Sequence, residues 1–209
     1  MLISGICGSL RTQSWNKLLL ACFLQKISGN SDHKTEIIDI SQIPLFNADI
    51  ETKRFPESVI LAKNKISNSD LLIFSSPAYN ASISGVMKNT IDWISRPPKV
   101  LEGKYGLVIG ATPGMSGTLL GYSHLNHILL NLGMNVLNEP KLLVSRINKQ
   151  MKSSGNIISN ELEELINTST NQLLDDLKFF FKPQSWLKIH ENNWNNNIHT
   201  DYVQIMFRT

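Results

Sequence analysis

Apolar runs of strand length alternate with segments of helical periodicity along most of this 209-residue chain. An apolar run followed by a helical stretch predicts a buried parallel strand and its crossover helix, because helices cover both faces of a parallel sheet. Five strands are predicted in this way, namely "LISGIC", "TEIIDI", "DLLIFSS", "YGLVIGA" and "MNVLNE". The pattern therefore favours an α/β fold with one parallel sheet between two layers of helices.

The predicted helices span about residues 16–27, 57–67 and 85–95, a segment ending near 132, and residues 160–181. The segment "SQIPLFNADIETKRFP" is predicted to be a loop. After Lys182 the chain becomes rich in Asn with spaced aromatic residues. We therefore expect one domain over residues 1–181 and a C-terminal extension over residues 182–209, either a packed arm or a frayed tail.

Composition excludes several classes of function. The net charge of +3 is dispersed without a run of Lys or Arg, so no nucleic-acid footprint is expected. No apolar stretch reaches the roughly 18 residues that cross a bilayer, and the N-terminus lacks the pattern of a signal peptide. Cys7 and Cys22 form no disulfide framework, which suggests a reducing, cytoplasmic location.

The stretch "GSLRTQSWN", residues 8–16, follows the first predicted strand and begins a helix. Backbone N–H groups at a helix start are unpaired and lie at the positive end of the helix dipole, so they favour a phosphate. Ser9, Ser14 and Asn16 can add neutral hydrogen bonds, and Arg11 adds a charged, forked donor. The plainer interpretation, that Ser14 only caps the helix and Arg11 is solvated, stays open on this stretch alone.

The spacing within this first loop argues against three other sites. The chain has neither the G-x-G-x-x-G pattern of dinucleotide binding nor the G-x-x-x-x-G-K-[ST] pattern of a Walker loop. Cys7 and Arg11 are separated by three residues, whereas phosphatases with a thiolate nucleophile need about five. A loop that short cannot wrap a phosphate between thiolate and arginine.

Two further polar loops are expected at the same edge, because the strands of a parallel sheet end there together. In "SSPAYNASISGVMKNTIDWISRPP", Pro77 fixes the chain, the next residues offer backbone donors and an aromatic ring, and Ser84 can cap the following helix. Trp93 on that helix serves either packing or a subunit interface. The loop around Gly114 allows close approach of a ligand to the backbone.

These residues resemble the NADPH-dependent FMN reductases of flavodoxin-like fold, which include bacterial quinone and chromate reductases. The resemblance is carried by "GSLRTQSWN", "PLFNADIE" and the long pattern P-x-Y-N-x-S-x-x-G-x-x-K-N-x-x-D-W that begins at Pro77. It implies a three-layer sandwich around a five-stranded parallel sheet in the order 2-1-3-4-5.

The resemblance also implies which residues bind FMN. For the phosphate they are Ser9, Arg11, Ser14, Trp15 and Asn16; for the ribityl chain and isoalloxazine ring, Pro77, Ala78, Tyr79, Asn80, Ala81 and Ser82; in the third loop, Gly114 and Ser116. Two positions depart from the family. Ala78 replaces a common acidic residue, and Thr118 stands where the family has a second glycine, so its side chain is expected to narrow the approach to the ring.

The resemblance implies an enzyme in which NADPH or NADH passes a hydride to bound FMN, and electrons then reach a quinone, a flavin or a similar small acceptor. The cofactor carries this chemistry, so neither a catalytic side chain nor a metal site is expected. A homodimer or homotetramer is implied, with the Trp93 helix at the interface. The alternative is a flavodoxin-like electron carrier or flavin-binding module without turnover, although such carriers are usually acidic and this chain is mildly basic.

Overall fold

The structure, a computed structural model, describes residues 1–116 and 118–181. Its strands are β1 (Leu2–Cys7), β2 (Lys34–Ile38), β3 (Leu71–Ser75), β4 (Ala78–Tyr79), β5 (Ser82–Ile83), β6 (Tyr105–Ala111), β7 (Asn135–Leu137) and β8 (Leu143–Val144). Its helices are α1 (Trp15–Gly29), α2 (Ala48–Lys53), α3 (Glu57–Asn68), α4 (Gly85–Ile94), α5 (Leu119–Asn131) and α6 (Asn160–Phe180). A 3-10 turn, Ile147–Lys149, follows β8.

The central sheet pairs its strands in the order β2-β1-β3-β6-β7, and all these pairs are parallel. This confirms the predicted order of five strands. The strand count was wrong by one: the last predicted strand stops at Leu137, and the chain returns beside β6 as β8, with Leu143 opposite Gly110. The carboxyl ends are aligned, since Cys7 lies opposite Ser75 and Ser75 opposite Ile109.

Helices cover both faces of the sheet, which explains why its inner strands are mostly apolar. All five residues of β3 are buried. One core joins the strands to buried residues of α3, α4 and α5, including Ile66, Met87 and Leu125. On the other face α1 packs so closely that a Cβ at Gly5 would lie 2.9 Å from the Leu20 side chain.

Besides β8, one short helix and one short hairpin were not predicted from the sequence. The helix α2 lies within the segment that was predicted to be a loop between β2 and α3. Its N-terminus is capped by Asn47, whose side-chain oxygen accepts from the backbone N–H of Asp49 at 2.8 Å. The strands β4 and β5 form a hairpin inside "PAYNASIS", and α5 begins at Leu119, after the loop around Gly114.

Residues 43–55, which we call the strap, are held against α4. Trp93 is fully buried, its Nε1 donates to the Pro44 carbonyl at 2.8 Å, and its ring meets that of Phe46 edge-on at 4.9 Å. Asn89 donates to the same carbonyl at 2.9 Å and accepts from the Phe46 N–H at 2.8 Å. Trp93 therefore serves packing within the chain, and its side chain is not available at a subunit surface.

The chain divides into two units after Leu174. The first, Met1–Leu174, contains the sheet and all five of the helices that precede α6. Of the second unit the structure describes only the end of α6, where Lys178 pairs with Asp175 at 2.8 Å. The expected C-terminal extension, 182–209, lies outside the described residues. Among the described residues no helix has both the length and the apolar character needed to span a membrane.

Candidate functional site

Three loops meet at the carboxyl edge of the sheet. They are the first loop (residues 8–14, after β1), the hairpin loop (residues 76–84, after β3) and the third loop (residues 112–116 and 118, after β6). Because β1, β3 and β6 are adjacent and in register, these loops are neighbours, as the sequence predicted. This edge is where open α/β sheets bind their ligands.

The first loop presents unpaired hydrogen-bond donors. Ser14 caps α1, as predicted, with its Oγ accepting from the Lys17 N–H at 3.3 Å. Within residues 1–116 and 118–181, the backbone N–H groups of residues 9–13 donate to no protein acceptor, and the exposed Arg11 pairs with no carboxylate. Unpaired N–H groups at a helix start beside a free guanidinium form a site for an anion such as a phosphate.

Asn16 anchors the start of α1 to the sheet. Its buried side chain donates to the Ala111 carbonyl and accepts from the Ala111 N–H, both at 2.9 Å. The Ser75 hydroxyl donates to the Asn16 carbonyl at 3.0 Å. The side-chain oxygen and one side-chain N–H of Asn16 are therefore engaged within the protein, and its direct contribution to anion binding would come mainly from its backbone N–H.

The hairpin loop has a strained tip. Tyr79 pairs with Ser82, and the two residues between them, Asn80 and Ala81, have φ values of 49° and 63°. Positive φ at both central residues makes a type I′ turn, which Asn tolerates and in which glycine normally follows. Asn in a two-residue loop was the available sequence signal, and alanine in the glycine position concealed it. The tip is exposed, and Tyr79 keeps 52% of its surface accessible.

The base of the hairpin loop is tied to the first loop. The Ser84 hydroxyl, which also caps α4 as predicted, donates to the Gly8 carbonyl at 2.6 Å. A Cβ at Gly8 would lie 2.9 Å from both the Ser84 Oγ and the Met87 Cβ. Only glycine fits between the two loops here, so their relative position is fixed by close backbone contact.

The third loop rests on residues that follow β8. The Gly114 carbonyl accepts from the Arg146 N–H at 2.8 Å, and the Thr112 carbonyl accepts from the Ile147 N–H at 3.1 Å. Gly114 and Ser116 are exposed at the loop surface. Sequence reasoning missed this support, because nothing in the local pattern connects residues more than thirty positions apart.

Thr118 does not narrow the approach to the site, contrary to expectation. It is buried, and a Cβ at Gly110 would overlap its hydroxyl. Its side chain therefore points into the protein towards β6, where the glycine makes room for it. The left-handed backbone of Thr118, with φ of 64°, allows this inward orientation at the start of α5.

The titratable side chains near these loops do not indicate other chemistry. Burial raises the pKa of the Cys7 thiol above its ordinary value, which disfavours a thiolate nucleophile. Among the described residues no three His, Cys, Asp or Glu side chains lie together as metal ligands would. His124 and His127 contact Ser82 and Asn131 respectively, at 2.8 and 3.0 Å.

Comparison with known proteins agrees with this geometry. The family described as NADPH-dependent FMN reductase matches residues 1–149. The chain belongs to this family. An NAD(P)H-dependent FMN reductase of Pseudomonas aeruginosa is 36% identical to this chain over 165 residues. The match covers 78% of this chain and 88% of that protein.

Two further relatives extend the comparison. A 2-hydroxy-1,4-benzoquinone reductase of Burkholderia sp is 34% identical to this chain over 168 residues. The match covers 79% of this chain and 90% of that protein. Among solved structures, the flavoenzyme NAD(P)H:(acceptor) oxidoreductase of Paracoccus denitrificans has a TM-score of 0.74 at 28% identity, covering 83% of this chain and 95% of that one. FMN is accordingly the cofactor of this chain, and NAD(P)H its electron donor.

The residues at the carboxyl edge fit FMN. The unpaired N–H groups of the first loop and the guanidinium of Arg11 suit a phosphate. The hairpin beside them offers exposed backbone groups and the aromatic ring of Tyr79, which suit a flat heteroaromatic ring with polar edges. Bound there, FMN supplies hydride and electron transfer, which no side chain of the protein provides.

Proposed function

We propose that this member of the FMN reductase family takes a hydride from NADPH or NADH and passes the electrons to a quinone. The observation that carries the proposal is the row of N–H donors over residues 9–13, unpaired within the described residues, beside the exposed Arg11. The quinone as acceptor is supported by the relatives that are named quinone reductases, including a quinone reductase of Escherichia coli that is 35% identical over 156 residues. A cytoplasmic location remains part of the proposal.

We assign the binding roles as follows. Backbone N–H groups of the first loop, with Arg11, hold the phosphate; Ser14 and Asn16 hold the loop in place through the cap and the contact with β6. The residues that face the ribityl chain and the ring are Pro77, Ala78, Tyr79, Asn80, Ala81 and Ser82, and those of the third loop are Gly114 and Ser116. Ser9 and Trp15 complete the surroundings of the phosphate.

An electron carrier without turnover is the second candidate, because flavodoxins share this arrangement of strands and loops. Such carriers dock to redox partners through strongly acidic surfaces. The net charge of +3 argues against that use. Reduction by a nicotinamide nucleotide separates the two, since a carrier receives its electrons from another protein.

We also propose that the chain forms a homodimer or homotetramer around this site. Apolar side chains are exposed on the third loop, the hairpin and the first turn of α5. They are Met115, Tyr79, Leu119 and Leu120, each more than half exposed. Large apolar side chains exposed on neighbouring elements are typical of a surface that another protein covers. Sedimentation equilibrium should give at least twice the chain mass of 23.5 kDa, and a single-chain mass would contradict this assignment.

Anaerobic reduction tests the function directly. The purified protein, loaded with FMN, is mixed with NADPH or NADH without oxygen, and the flavin absorbance near 450 nm is followed. We expect the absorbance to bleach and to return when a benzoquinone is added. Flavin that stays oxidised with both nucleotides would contradict the reductase and favour the carrier. A protein that takes up no FMN would contradict both.

A further inference from the structure

The hairpin β4–β5 is held from the side by α5, through two residues that lie one turn apart. Gly121 is buried against it: a Cβ there would lie 3.0 Å from the Ala78 Cβ, 3.3 Å from the Ala78 Cα and 3.4 Å from the Ser82 carbonyl oxygen. The backbone of α5 therefore touches the backbone of the hairpin. Any larger side chain at this position has to push the two apart.

One turn further along α5, His124 makes a side-chain contact with the same hairpin. Its Nδ1 lies 2.8 Å from the Ser82 hydroxyl, within hydrogen-bond distance. The neighbouring exposed histidine, His127, instead contacts Asn131 on its own helix, with 3.0 Å between His127 Nε2 and Asn131 Nδ2. Both histidines are thus exposed on α5, but His124 contacts the hairpin and His127 contacts its own helix.

This contact matters because the hairpin cannot be stable alone. It has only two residues in each strand, and isolated hairpins even of ordinary length are marginal in water. Its tip also carries Ala81 at φ 63°, a conformation that alanine adopts only when its surroundings impose it. The base is fixed to the first loop by Ser84. The contact through Ser82 lies next to the tip, where the strain is.

We propose that His124 is a positioning residue for the flavin site. Its hydrogen bond sets the direction of the Ser82 hydroxyl and holds the strained tip, Asn80 and Ala81, in the conformation that receives the ring of FMN. Gly121 permits the close approach that this bond requires. The proposal rests on the proposed function only for the identity of the ligand, because the restraint on the hairpin is a property of the protein alone.

The test compares His124→Ala with His127→Ala, its matched control on the same helix. The first readout uses the protein without flavin: amide hydrogen exchange of residues 78–83. We expect His124→Ala to speed exchange at these amides about two- to tenfold, the range for one lost hydrogen bond, and His127→Ala to leave it unchanged. His124→Asn, which places an amide near the position of Nδ1, should restore most of the protection.

The second readout is the affinity for flavins, measured by quenching of flavin fluorescence. His124→Ala should weaken the affinities for FMN and for riboflavin by the same factor, about two- to tenfold, because the hairpin faces the ring and not the phosphate. His124→Asn should again restore binding. A loss of general stability without a local role would not be rescued by Asn and would affect amides throughout the protein.

The outcomes separate this proposal from the function on which it rests. If wild-type protein binds FMN, and His124→Ala matches His127→Ala in both exchange and affinity, only the role of His124 is overturned. If exchange changes but flavin affinity does not, the restraint exists without serving the site, and the proposal is also overturned. A wild-type protein that binds no flavin overturns it together with the proposed function.

Discussion

The long signature that begins at Pro77 divides into two halves with opposite characters. The first half forms the hairpin loop, which is exposed and strained at Ala81. The second half, on α4, is enclosed: Trp93 is fully buried, and Asn89 is bonded on both sides to the strap. The first half presents polar groups to a ligand, whereas the polar groups of the second half are bonded within the protein. A continuous motif therefore does not imply a continuous site.

The C-terminal part of the strap is likewise held by contacts within the protein. Lys63 is buried, donates to the Arg96 carbonyl and lies over the ring of Phe55 at 5.1 Å. Burial lowers the pKa of Lys63 below its ordinary value, which marks the loss of water around its ammonium group. Arg96 reaches back to Glu51 on α2 at 2.6 Å. Substitutions in this half should therefore change stability, whereas those at the site should change binding.

The largest effect is expected from Trp93→Ala. It removes a fully buried indole and its hydrogen bond to Pro44, so the free energy of unfolding should fall by about 3 to 5 kcal/mol, measured by urea denaturation. Trp93→Phe keeps an aromatic ring against Phe46 and should lose less. A loss below about 1 kcal/mol for Trp93→Ala would mean that the strap is not held by this side chain.

Arg11→Ala should show the opposite behaviour. FMN binding should weaken by about 1.5 to 3 kcal/mol, the range for a hydrogen bond to a charged group, while unfolding is unchanged because Arg11 is exposed and unpaired. Fluorescence titration with FMN measures the first and urea denaturation the second. Arg54→Ala, which removes the same charge at the exposed end of α2, controls for net charge. Equal losses of affinity in the two variants would contradict a phosphate contact.

A smaller loss of stability is expected from Asn89→Ala. The Phe46 N–H loses its partner and the Pro44 carbonyl keeps only the hydrogen bond from Trp93, which should cost about 1 to 3 kcal/mol in the free energy of unfolding. Asn89→Asp keeps the acceptor for the Phe46 N–H but places a carboxylate oxygen against the Pro44 carbonyl, so it should lose at least as much stability as Asn89→Ala. The affinity for FMN should be the same in all three proteins. A stable Asn89→Ala variant with weakened FMN binding would reverse the roles of the two halves.

The smallest effect is expected from Ala81→Gly. Glycine adopts the left-handed conformation without a Cβ clash, and this relief slightly exceeds the entropy that glycine loses on folding. The free energy of unfolding, measured by thermal denaturation, should increase by up to about 1 kcal/mol. The control, Ala78→Gly in β4, should instead destabilise. If both glycine variants destabilise alike, Ala81 is not strained in the folded protein.

Features that depend on residues near in the sequence could be predicted from it, and features that depend on distant residues could not. The strands β1 and β6 coincide residue for residue with their apolar runs, because burial on both faces leaves a continuous apolar segment. The caps Ser14 and Ser84 were also predictable, since a cap acts within four residues. The bonds of Asn16 to Ala111 and of Ser82 to His124 were not, because they join residues 95 and 42 positions apart.

Riboflavin tests the assignment of the first loop to a phosphate most directly, because it has the ring and ribityl chain of FMN without the phosphate. Both flavins are titrated into the flavin-free wild-type protein under the same conditions. The phosphate assignment predicts that FMN binds more tightly than riboflavin by at least the amount that Arg11→Ala loses, about 1.5 to 3 kcal/mol. Equal affinity for the two flavins would contradict it.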